Sequence, residues 1–218
     1  DRGILPYPDG HSASLTVSSA GVTLPTLTAA AVRLREFTLG DVDALHRVYG
    51  DPEATRHLSF EPRSRDQVAE IIEGILARRA DVPRTEYALA IERPDTVEVV
   101  GMARLALGDY RSGQIGFALR PDQWRKGLGR QSVELLLRLA FDHLSLHRVW
   151  GASAPENRAS CQLMLSVGMV EEGRIRDHLR VNGQWRDSVV HSILEEEWHR
   201  RCGHPSPSRS GTPQPAVE

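Results

Sequence analysis

The sequence predicts an α/β (α+β) fold in which helices flank a mixed, mostly antiparallel central sheet, and three features of the pattern support this. Short apolar runs at 87–91 and 114–119 are bounded by turn residues, as strands are. Apolar residues recur every three or four positions over 68–76 and 133–144, which is the spacing of an amphipathic helix. The dipeptide at 182–183, Asn-Gly, lies between two strand-like segments and indicates a tight β-hairpin.

The predicted elements alternate short strands with helices, an order that favours one sheet with helices on its faces. Val32, Leu34 and Phe37 begin a strand, and the segment 38–41 leads into a helix with Val42 on its apolar face. The remaining elements, in chain order, are a helix capped by Asp66 that runs through Leu76, strands at 87–91, 97–107 and 114–119 with a turn at 92–95, a helix over 130–144, a strand at 148–152, a helix from Asn157 to about Gly168, and strands at 173–181 and 185–194.

Length and composition indicate one globular domain with two tails. The chain has 218 residues, of which 40% are hydrophobic and 26% charged, as in an ordinary folded domain. Residues 1–23 are rich in Gly, Pro, Ser and Thr, and we expect an irregular N-terminal arm there. Residues 203–218 are a Pro/Ser-rich segment that cannot bury a core, and we expect this tail to be disordered. The folded domain is therefore predicted at 24–202.

Charge and cysteine content exclude several classes of protein. The net charge is -2 and no run of five basic residues occurs, so the sequence lacks the electrostatic footprint of a nucleic-acid-binding protein. The two cysteines, Cys161 and Cys202, have neither metal-ligand spacing nor a disulfide framework. No apolar run approaches the roughly 18 residues that a membrane span needs, and the first residues lack a signal-peptide pattern. We expect a cytoplasmic protein that needs no metal. The sequence leaves open whether it forms a homodimer.

The segment 124–130, Trp-Arg-Lys-Gly-Leu-Gly-Arg, lies between a predicted strand and a predicted helix. The first turn of a helix has unpaired N–H groups and the positive end of the helix dipole, so it can hold a phosphate. Gly127 and Gly129 let the backbone approach an anion, and the basic side chains add positive charge. The segment has neither a Walker P-loop nor a dinucleotide-binding pattern. It indicates a phosphate site of another kind, with a plain glycine turn as the alternative.

Several motifs, in their order along the chain, resemble the GNAT acetyltransferases, and more narrowly their ribosomal-protein-alanine acetyltransferase (RimJ/RimL-like) branch. The resemblance covers about residues 24–200. Its most specific part is the strand and loop over 115–129, where Trp124 stands three residues before the first glycine. The other matching segments are 24–27 with Leu34-Arg35, Arg56-His57-Leu58 before Pro62, 140–149, 156–160, 167–169, 172–173, 183–187 and 197–198.

The resemblance implies a V-shaped parting between the strands at 114–119 and 148–152. The pantetheine arm of acetyl-CoA would lie in this parting. A backbone N–H in a splayed strand can also stabilise the charge that develops on the thioester oxygen during amine attack, an effect worth about 10²–10³-fold. The implied cofactor-binding residues are Phe117, Ala118 and Leu119 for pantetheine, through their backbone, and Arg125, Lys126, Gly127, Leu128, Gly129 and Arg130 for the pyrophosphate.

Asn157 and Ser160 match the N-x-x-S pattern of the same family. By the resemblance, Asn157 binds the pantetheine arm, and Ser160 binds the cofactor or helps to protonate the departing thiolate. The spacing is equally explained if Asn157 only caps a helix and Ser160 is a small packing residue. Cys161 is disfavoured as an acyl-carrying nucleophile, because its helical position suggests burial and no base is evident beside it. Asn157 and Ser160 are the candidate catalytic residues.

Two positions depart from the family pattern and leave the acid–base chemistry open. Met164 stands where many members have a proton-donating Tyr, and Gln114 stands where many have a Glu in the central strand. Because Gln cannot act as a base, a water chain or a nearby carboxylate or imidazole is needed. The candidates are Glu36, His178 and His191, and for each a structural role is the stronger expectation.

These residues and the resemblance predict an N-acetyltransferase that uses acetyl-CoA. A neutral primary amine would attack acetyl-CoA directly in a ternary complex, and the CoA thiolate would leave without a metal. The acceptor is a small-molecule amine or a protein N-terminal amine, and the lack of an acidic run that would attract a basic ribosomal protein favours the small amine. The alternatives are a different acyl-CoA donor, a non-catalytic acyl-CoA-binding or regulatory module, and a phosphate-ligand binder that does not use CoA.

Overall fold

The structure, a computed structural model, describes residues 17–18, 21–22, 24 and 27–203. Short strands and helices alternate along this part of the chain, as the sequence predicts. The strands are β1 (Val17–Ser18), β2 (Gly21–Val22), β3 (Leu27–Thr28), β4 (Arg33–Glu36), β5 (Glu86–Arg93), β6 (Glu98–Gly108), β7 (Ser112–Leu119), β8 (Arg148–Ser153), β9 (Val170–Val181) and β10 (Gln184–Leu194). The helices are α1 (Val42–Tyr49), α2 (Pro52–Thr55), α3 (Arg65–Arg78), α4 (Leu128–Arg138), α5 (Arg158–Ser166) and α6 (Glu195–Cys202).

Eight strands form one sheet in the order β3-β4-β5-β6-β7-β8-β10-β9. All neighbouring pairs in it are antiparallel except β7 and β8, which are parallel and joined through α4. The predicted mixed, mostly antiparallel sheet is confirmed. A separate antiparallel pair, β1 with β2, lies inside the predicted arm. The rest of that arm, apart from these strands, and the tail beyond residue 203 lie outside the described residues.

Helices pack on both faces of the half of the sheet that runs from β3 to β7. On one face, α4 buries Leu135 and Leu136 in the same core as Ile115 of β7; we call this the α4 face. On the other face, α1 and α3 bury Leu45 and Ile72 in a core that includes residues of β5, β6 and β7; we call this the α1/α3 face. The alternation of side chains along each strand therefore divides the core into two layers.

The other half of the sheet, formed by β8, β10 and β9, packs α5 and α6 on its α4 face. Trp198 of α6 stacks on Phe141 with ring centroids 6.0 Å apart, and its Nε1–H donates to the Asp142 carboxylate at 3.0 Å. On the opposite face this half forms a depression of about 400 Å³. The depression is lined by Arg148, Trp150, Glu172, Gly173, Arg174, Ile175 and Val190.

The structure corrects the predicted cap of α3. Ser64, not Asp66, is the N-cap: its hydroxyl accepts the N–H of Gln67, and the Gln67 side chain accepts the N–H of Ser64. This reciprocal pair satisfies two N–H groups that the helix cannot satisfy itself. Asp66 lies in the first turn, where its charge favours the helix dipole.

The predicted turn at 92–95 begins two residues later than expected, because Glu92 and Arg93 continue β5. Glu92 is 1% exposed, and its two carboxylate oxygens bind the guanidinium groups of Arg33 and Arg35 on the neighbouring strand. A carboxylate with two cationic partners can be buried inside a strand. The partners are 57 and 59 residues distant in sequence, so local turn propensity did not reveal them.

Helix α4 begins earlier and ends differently from the prediction of 130–144. It starts at Leu128, so the second glycine of the loop lies in its first turn, and after Arg138 the chain continues as a π-helical turn over 139–143. Two helices, α2 and α6, were not predicted; both are short. None of the helices in the described part of the chain has the length and apolar character needed to cross a membrane.

Candidate active site

The two parallel strands β7 and β8 separate part-way along their length. Their register begins at Ser112 with Arg148 and ends at Gln114 with Trp150. Strand β7 continues to Leu119 and stays paired with β6 throughout, so β8 is the strand that departs. Residues 115–119 of β7 consequently have one free edge. We call the wedge between the two strands the gap; it is the V-shaped parting that the resemblance implies.

Backbone groups of β7 point into the gap at alternate residues. The Arg120 N–H donates to the Val100 carbonyl at 2.9 Å, in register with the β6–β7 ladder. Because bonding alternates along an antiparallel strand, Phe117 and Leu119 direct their N–H and C=O groups away from β6, toward the gap. Trp124 uses the Leu119 carbonyl, to which its Nε1–H donates at 2.9 Å. The backbone of Ala118, a predicted cofactor contact, faces β6 instead.

The N-terminus of α4 lies at the end of the gap. Gly127 is the N-cap with φ 77°, a left-handed conformation that favours glycine. The first intrahelical bond runs from Gln131 N–H to the Gly127 carbonyl at 3.2 Å, so the N–H groups of Leu128, Gly129 and Arg130 have no partner within the helix. A Cβ on Gly129 would lie 2.8 Å from a methyl carbon of Leu163 in α5. Glycine there allows α4 and α5 to approach each other.

The basic side chains of the loop are exposed and only partly engaged. Lys126 Nζ lies 3.3 Å from Gln123 Oε1, and Arg130 Nε donates to Glu134 at 3.0 Å. Arg125 has φ 60° and no ion pair among the described residues. A cavity of about 240 Å³ adjoins the loop. It is lined by Ala30, Ala31, Arg93, Pro94, Asp95, Lys126 and Leu128.

Asn157 caps α5, which is the structural role that the sequence left open. Its Oδ1 accepts the Ser160 N–H at 3.1 Å. The amide nitrogen of Asn157 and the Ser160 hydroxyl have no hydrogen bond to a described residue, and both residues are partly exposed. The cap uses one atom of Asn157, so its amide N–H donors stay available to a ligand. Cap and ligand contact are therefore compatible.

Two other residues of α5 differ in burial: Met164 is buried, whereas Cys161 is partly exposed, so the burial expected of Cys161 from its helical position is not found. Met164 is 2% exposed, and its sulfur would lie 3.0 Å from a Cβ on Gly151 of β8. It packs where the family pattern has a proton-donating Tyr. Cys161 Sγ lies 3.2 Å from the hydroxyl of Ser153, and no described imidazole or carboxylate bonds it. The geometry agrees with the expectation that Cys161 is not a nucleophile.

The structure separates the three candidate bases. Glu36 on β4 forms an ion pair with the buried Arg84 at 2.6 Å, and β5 and β6 lie between it and the gap. His191 is 0% exposed on the α4 face; burial lowers its pKa, although Glu171 at 3.7 Å acts in the opposite direction. His178 on β9 is partly exposed, and its Nδ1 has no partner. None of the three is placed at the free edge of β7.

A contact that the sequence did not reveal crosses the gap on the α1/α3 face. Arg186 of β10 donates from Nη1 to the backbone carbonyls of His57 and Leu58, at 3.2 and 3.0 Å. The loop 56–63 follows α2, which packs near β7, whereas β10 lies beyond β8. Arg186 therefore joins the two sides of the gap. The pKa of His57 is lowered by burial and then by Arg56 and Arg186.

The fold and the gap together define an acyl-CoA-dependent N-acyltransferase. An acetyltransferase (GNAT) domain model matches residues 31–170, and the chain belongs to that family. This confirms the resemblance read from the motifs, and it places the gap, the α4 N-terminus and the Asn157–Ser160 segment within the matched range.

Named relatives extend this result. The uncharacterized N-acetyltransferase p20 of Bacillus licheniformis is 28% identical over 182 residues, 80% of this chain and 99% of that protein. The [ribosomal protein uS5]-alanine N-acetyltransferase of Escherichia coli (strain K12) is 27% identical over 108 residues, 48% of this chain and 56% of that protein. A spermidine N-acetyltransferase from Vibrio cholerae, solved with CoA and spermine, has a TM-score of 0.67 and 23% identity, covering 78% of this chain and 99% of that one. At that identity the likeness is one of fold.

Proposed function

We propose that this chain transfers the acetyl group of acetyl-CoA directly to a primary amine, on a small molecule or at a protein N-terminus. The observation that carries the proposal is the gap itself. It has a free strand edge with unpaired backbone groups along one side, and it ends at a helix N-terminus that has unpaired N–H groups. An extended thiol cofactor with a pyrophosphate at one end is complementary to both parts.

In this proposal the pyrophosphate rests on the N–H groups of Leu128, Gly129 and Arg130. The side chains of Arg125 and Lys126 add positive charge from the solvent side. The pantetheine arm then runs along the free edge of β7, where it adds to the sheet as a strand would, between Phe117 and the N-cap Asn157. The arm is built from amides, so it can exchange hydrogen bonds with the Phe117 backbone and the Asn157 side chain.

The reaction would proceed by direct attack in a ternary complex. The lone pair of a neutral amine forms a bond to the thioester carbon, and the carbonyl oxygen becomes an oxyanion that a β7 N–H, Phe117 or Leu119, can stabilise. The oxyanion then re-forms the carbonyl as the C–S bond breaks, and the electron pair of that bond leaves on the CoA sulfur. The positively charged nitrogen of the intermediate loses its proton to solvent, and the thiolate takes a proton from water, directly or through Ser160, which regains its proton from solvent. No metal enters these steps.

The experiment that tests the proposal is turnover. The full chain is incubated with acetyl-CoA and a panel of primary amines, free CoA thiol is measured over time, and acetylated amine is identified by mass spectrometry. Thiol release that depends on amine, with one acetyl group added per thiol, is the expected result. Release without acetylated product would mean hydrolysis and would overturn the proposal.

A second candidate function is a non-catalytic acyl-CoA-binding module. It is favoured by one observation, that Met164 is buried and Gln114 is an amide where family members have an acid and a base. Tight acetyl-CoA binding by calorimetry together with no turnover on any amine would support it. Turnover with a longer acyl-CoA but not with acetyl-CoA would show that the protein is an acyltransferase with a different acyl donor. The proposed site of action is the cytoplasm, where acyl-CoA is available.

A further inference from the structure

Arg186 has no anionic partner among the described residues, although it joins the two sides of the gap. Nη1 of its guanidinium is used by the carbonyls of His57 and Leu58. Nε is out of contact with solvent and has no acceptor, and no described residue accepts from Nη2. The edge formed by Nε and Nη2 is the one that binds a carboxylate through two parallel hydrogen bonds.

The position of Arg186 follows from its contacts. Its bonds to the carbonyls of His57 and Leu58 place it on the α1/α3 face, because Leu58 packs on the core of that face. The last residue of β8 pairs with Val189, three residues along β10 from Arg186, whereas the pairing of β8 with β7 stops earlier, at Trp150. Arg186 therefore lies at the open end of the gap, on the side opposite α4 and α5.

Two acidic residues on this face already have partners. Glu86 of β5 accepts from Arg104 at 2.8 Å. Glu172 of β9 forms a two-point pair with Arg148 at 2.5 and 2.6 Å. A polyamine would need carboxylates with free charge to bind its ammonium groups. Here these two carboxylates are neutralised and the guanidinium of Arg186 is not; Glu156, whose charge acts to raise the pKa of His57, is an exposed carboxylate near the loop.

A second guanidinium, in the loop itself, also has no acidic partner in the described part of the chain. Arg63 stacks over the Phe60 ring at 5.1 Å, and its Nε is buried with no partner. The pKa of His57, whose carbonyl accepts from Arg186, is lowered by burial and then by the nearby positive charge of Arg56 and Arg186, against the smaller opposite influence of Glu156. The environment around the loop therefore favours an anion.

We propose that the acceptor is a small amine that also carries a carboxylate, and that the free edge of Arg186 binds this carboxylate. The proposal rests on the proposed acetyl transfer and names the substrate class for it. The carboxylate would hold the acceptor on the α1/α3 face, with the amine directed into the gap toward the thioester. Arg186 is then a specificity-determining residue.

The test compares amino acids with their carboxamides as acceptors. L-amino acids, the matching L-amino acid amides and spermidine are assayed with acetyl-CoA, and kcat/KM is calculated per neutral amine, because amidation lowers the amine pKa. We expect the carboxylates to exceed the amides by about 10–100-fold, the range of one charge-assisted two-point contact. Equal values for acid and amide, or a preference for spermidine or for peptide N-termini, would overturn the proposal.

Variants separate binding from structure. Arg186→Gln should reduce the ratio of kcat/KM for the carboxylate to kcat/KM for the amide to about 1. In Arg186→Lys this ratio should lie between about 1 and the wild-type value. If the bonds of Arg186 to the loop have only a structural role, Arg186→Gln will lower kcat/KM for the acid and for the amide together and leave their ratio unchanged. That result would also overturn the proposal. The matched control is Arg176→Gln, an exposed arginine on β9, which should keep the ratio. If wild-type protein acetylates no amine, the acetyl transfer itself has failed, a result distinct from an unchanged ratio.

Discussion

The two halves of the sheet differ in how they are covered, and the gap lies where they meet. From β3 to β7, helices bury both faces, and β7 is paired with β6 along its whole length. In β8, β10 and β9, the helices lie on the α4 face, and the opposite face is a depression of about 400 Å³. Three register pairs of β7 with β8, from Ser112–Arg148 to Gln114–Trp150, join the halves.

Because of this difference, we expect the two halves to bind different substrates. The first half presents a strand edge and a helix end that are fixed by a core on both sides, so it can hold one cofactor in one geometry. The second half leaves a face free, on which acceptors of different shape can be accommodated. Changes at the β7 edge, at the α4 N-terminus and at the facing N-cap of α5 should affect acetyl-CoA, and changes on the free face of the second half or at Gln114, where the halves join, should affect the acceptor.

The largest effect is expected from Gly127→Asp at the N-cap of α4. It introduces a negative charge and a side chain where the pyrophosphate is proposed to bind, and we expect acetyl-CoA affinity to fall by more than about 100-fold, as for loss of several charge-assisted contacts. Calorimetry with acetyl-CoA measures it. Gly183→Asp is the matched control, because Gly183 also has φ 77° and open space around a Cβ. If both variants bind alike, the loop is not part of the site.

Local features were predictable from sequence in both halves, and the contact across the gap was not. The loop glycines of the first half, and the hairpin turn at 182–183 and the cap at Asn157 in the second, are local signals, and the structure shows φ 53° and 77° at the turn and a side-chain bond at the cap. Arg186 bonds carbonyls 128 and 129 residues away, and a bond to a backbone carbonyl leaves no trace in the sequence at the accepting residue. Periodicity cannot find such a contact, because it reports only neighbours along one element.

Gln114 provides the next test, at the last residue of β7 paired with β8. Without a carboxylate base the enzyme depends on the neutral fraction of its acceptor. At pH 7 this is roughly a tenth for an amine of pKa about 8, but under about 0.1% for one of about 10.4. We expect kcat/KM to differ by about 100-fold between two such acceptors and to rise with pH through each acceptor's own pKa.

The variant Gln114→Glu should reduce this difference by supplying a base. The measurement is kcat/KM against pH for both acceptors and both proteins. If the acidic limb of the wild-type kcat/KM–pH profile has its midpoint at the same pH for both acceptors, the enzyme has a base of its own.

A smaller effect separates the two roles of Asn157. Asn157→Asp keeps the oxygen that caps α5 and removes the amide donor, so stability should be retained while the KM for acetyl-CoA rises by about 5–10-fold, the range of one hydrogen bond. Asn157→Ala should in addition lower the unfolding free energy by about 1 kcal/mol. Thermal denaturation and acetyl-CoA titration give the two quantities. An unchanged KM in Asn157→Asp would leave Asn157 as a cap alone.

The smallest effect concerns the covered face of the second half, where His191 is 0% exposed beneath α5 and neither ring nitrogen has a hydrogen bond. Burial lowers its pKa below the ordinary value of about 6.5, against the weaker influence of Glu171. The unfolded chain therefore binds this proton more readily than the folded protein. The stabilisation that the neutral ring provides is complete above about pH 6.5 and is lost as the pH falls below that value, by at most about 1.4 kcal/mol per pH unit.

Urea denaturation between pH 7.5 and 5.5 measures this loss. The free energy of unfolding should fall less steeply with decreasing pH in His191→Leu than in the wild type. His147→Gln is the control, because the His147 side chain is 54% exposed. Its free energy of unfolding should fall with pH as that of the wild type does. If wild type and His191→Leu decline in parallel, water reaches the imidazole in the folded state, and α5 covers this half of the sheet less tightly than α4 covers the other.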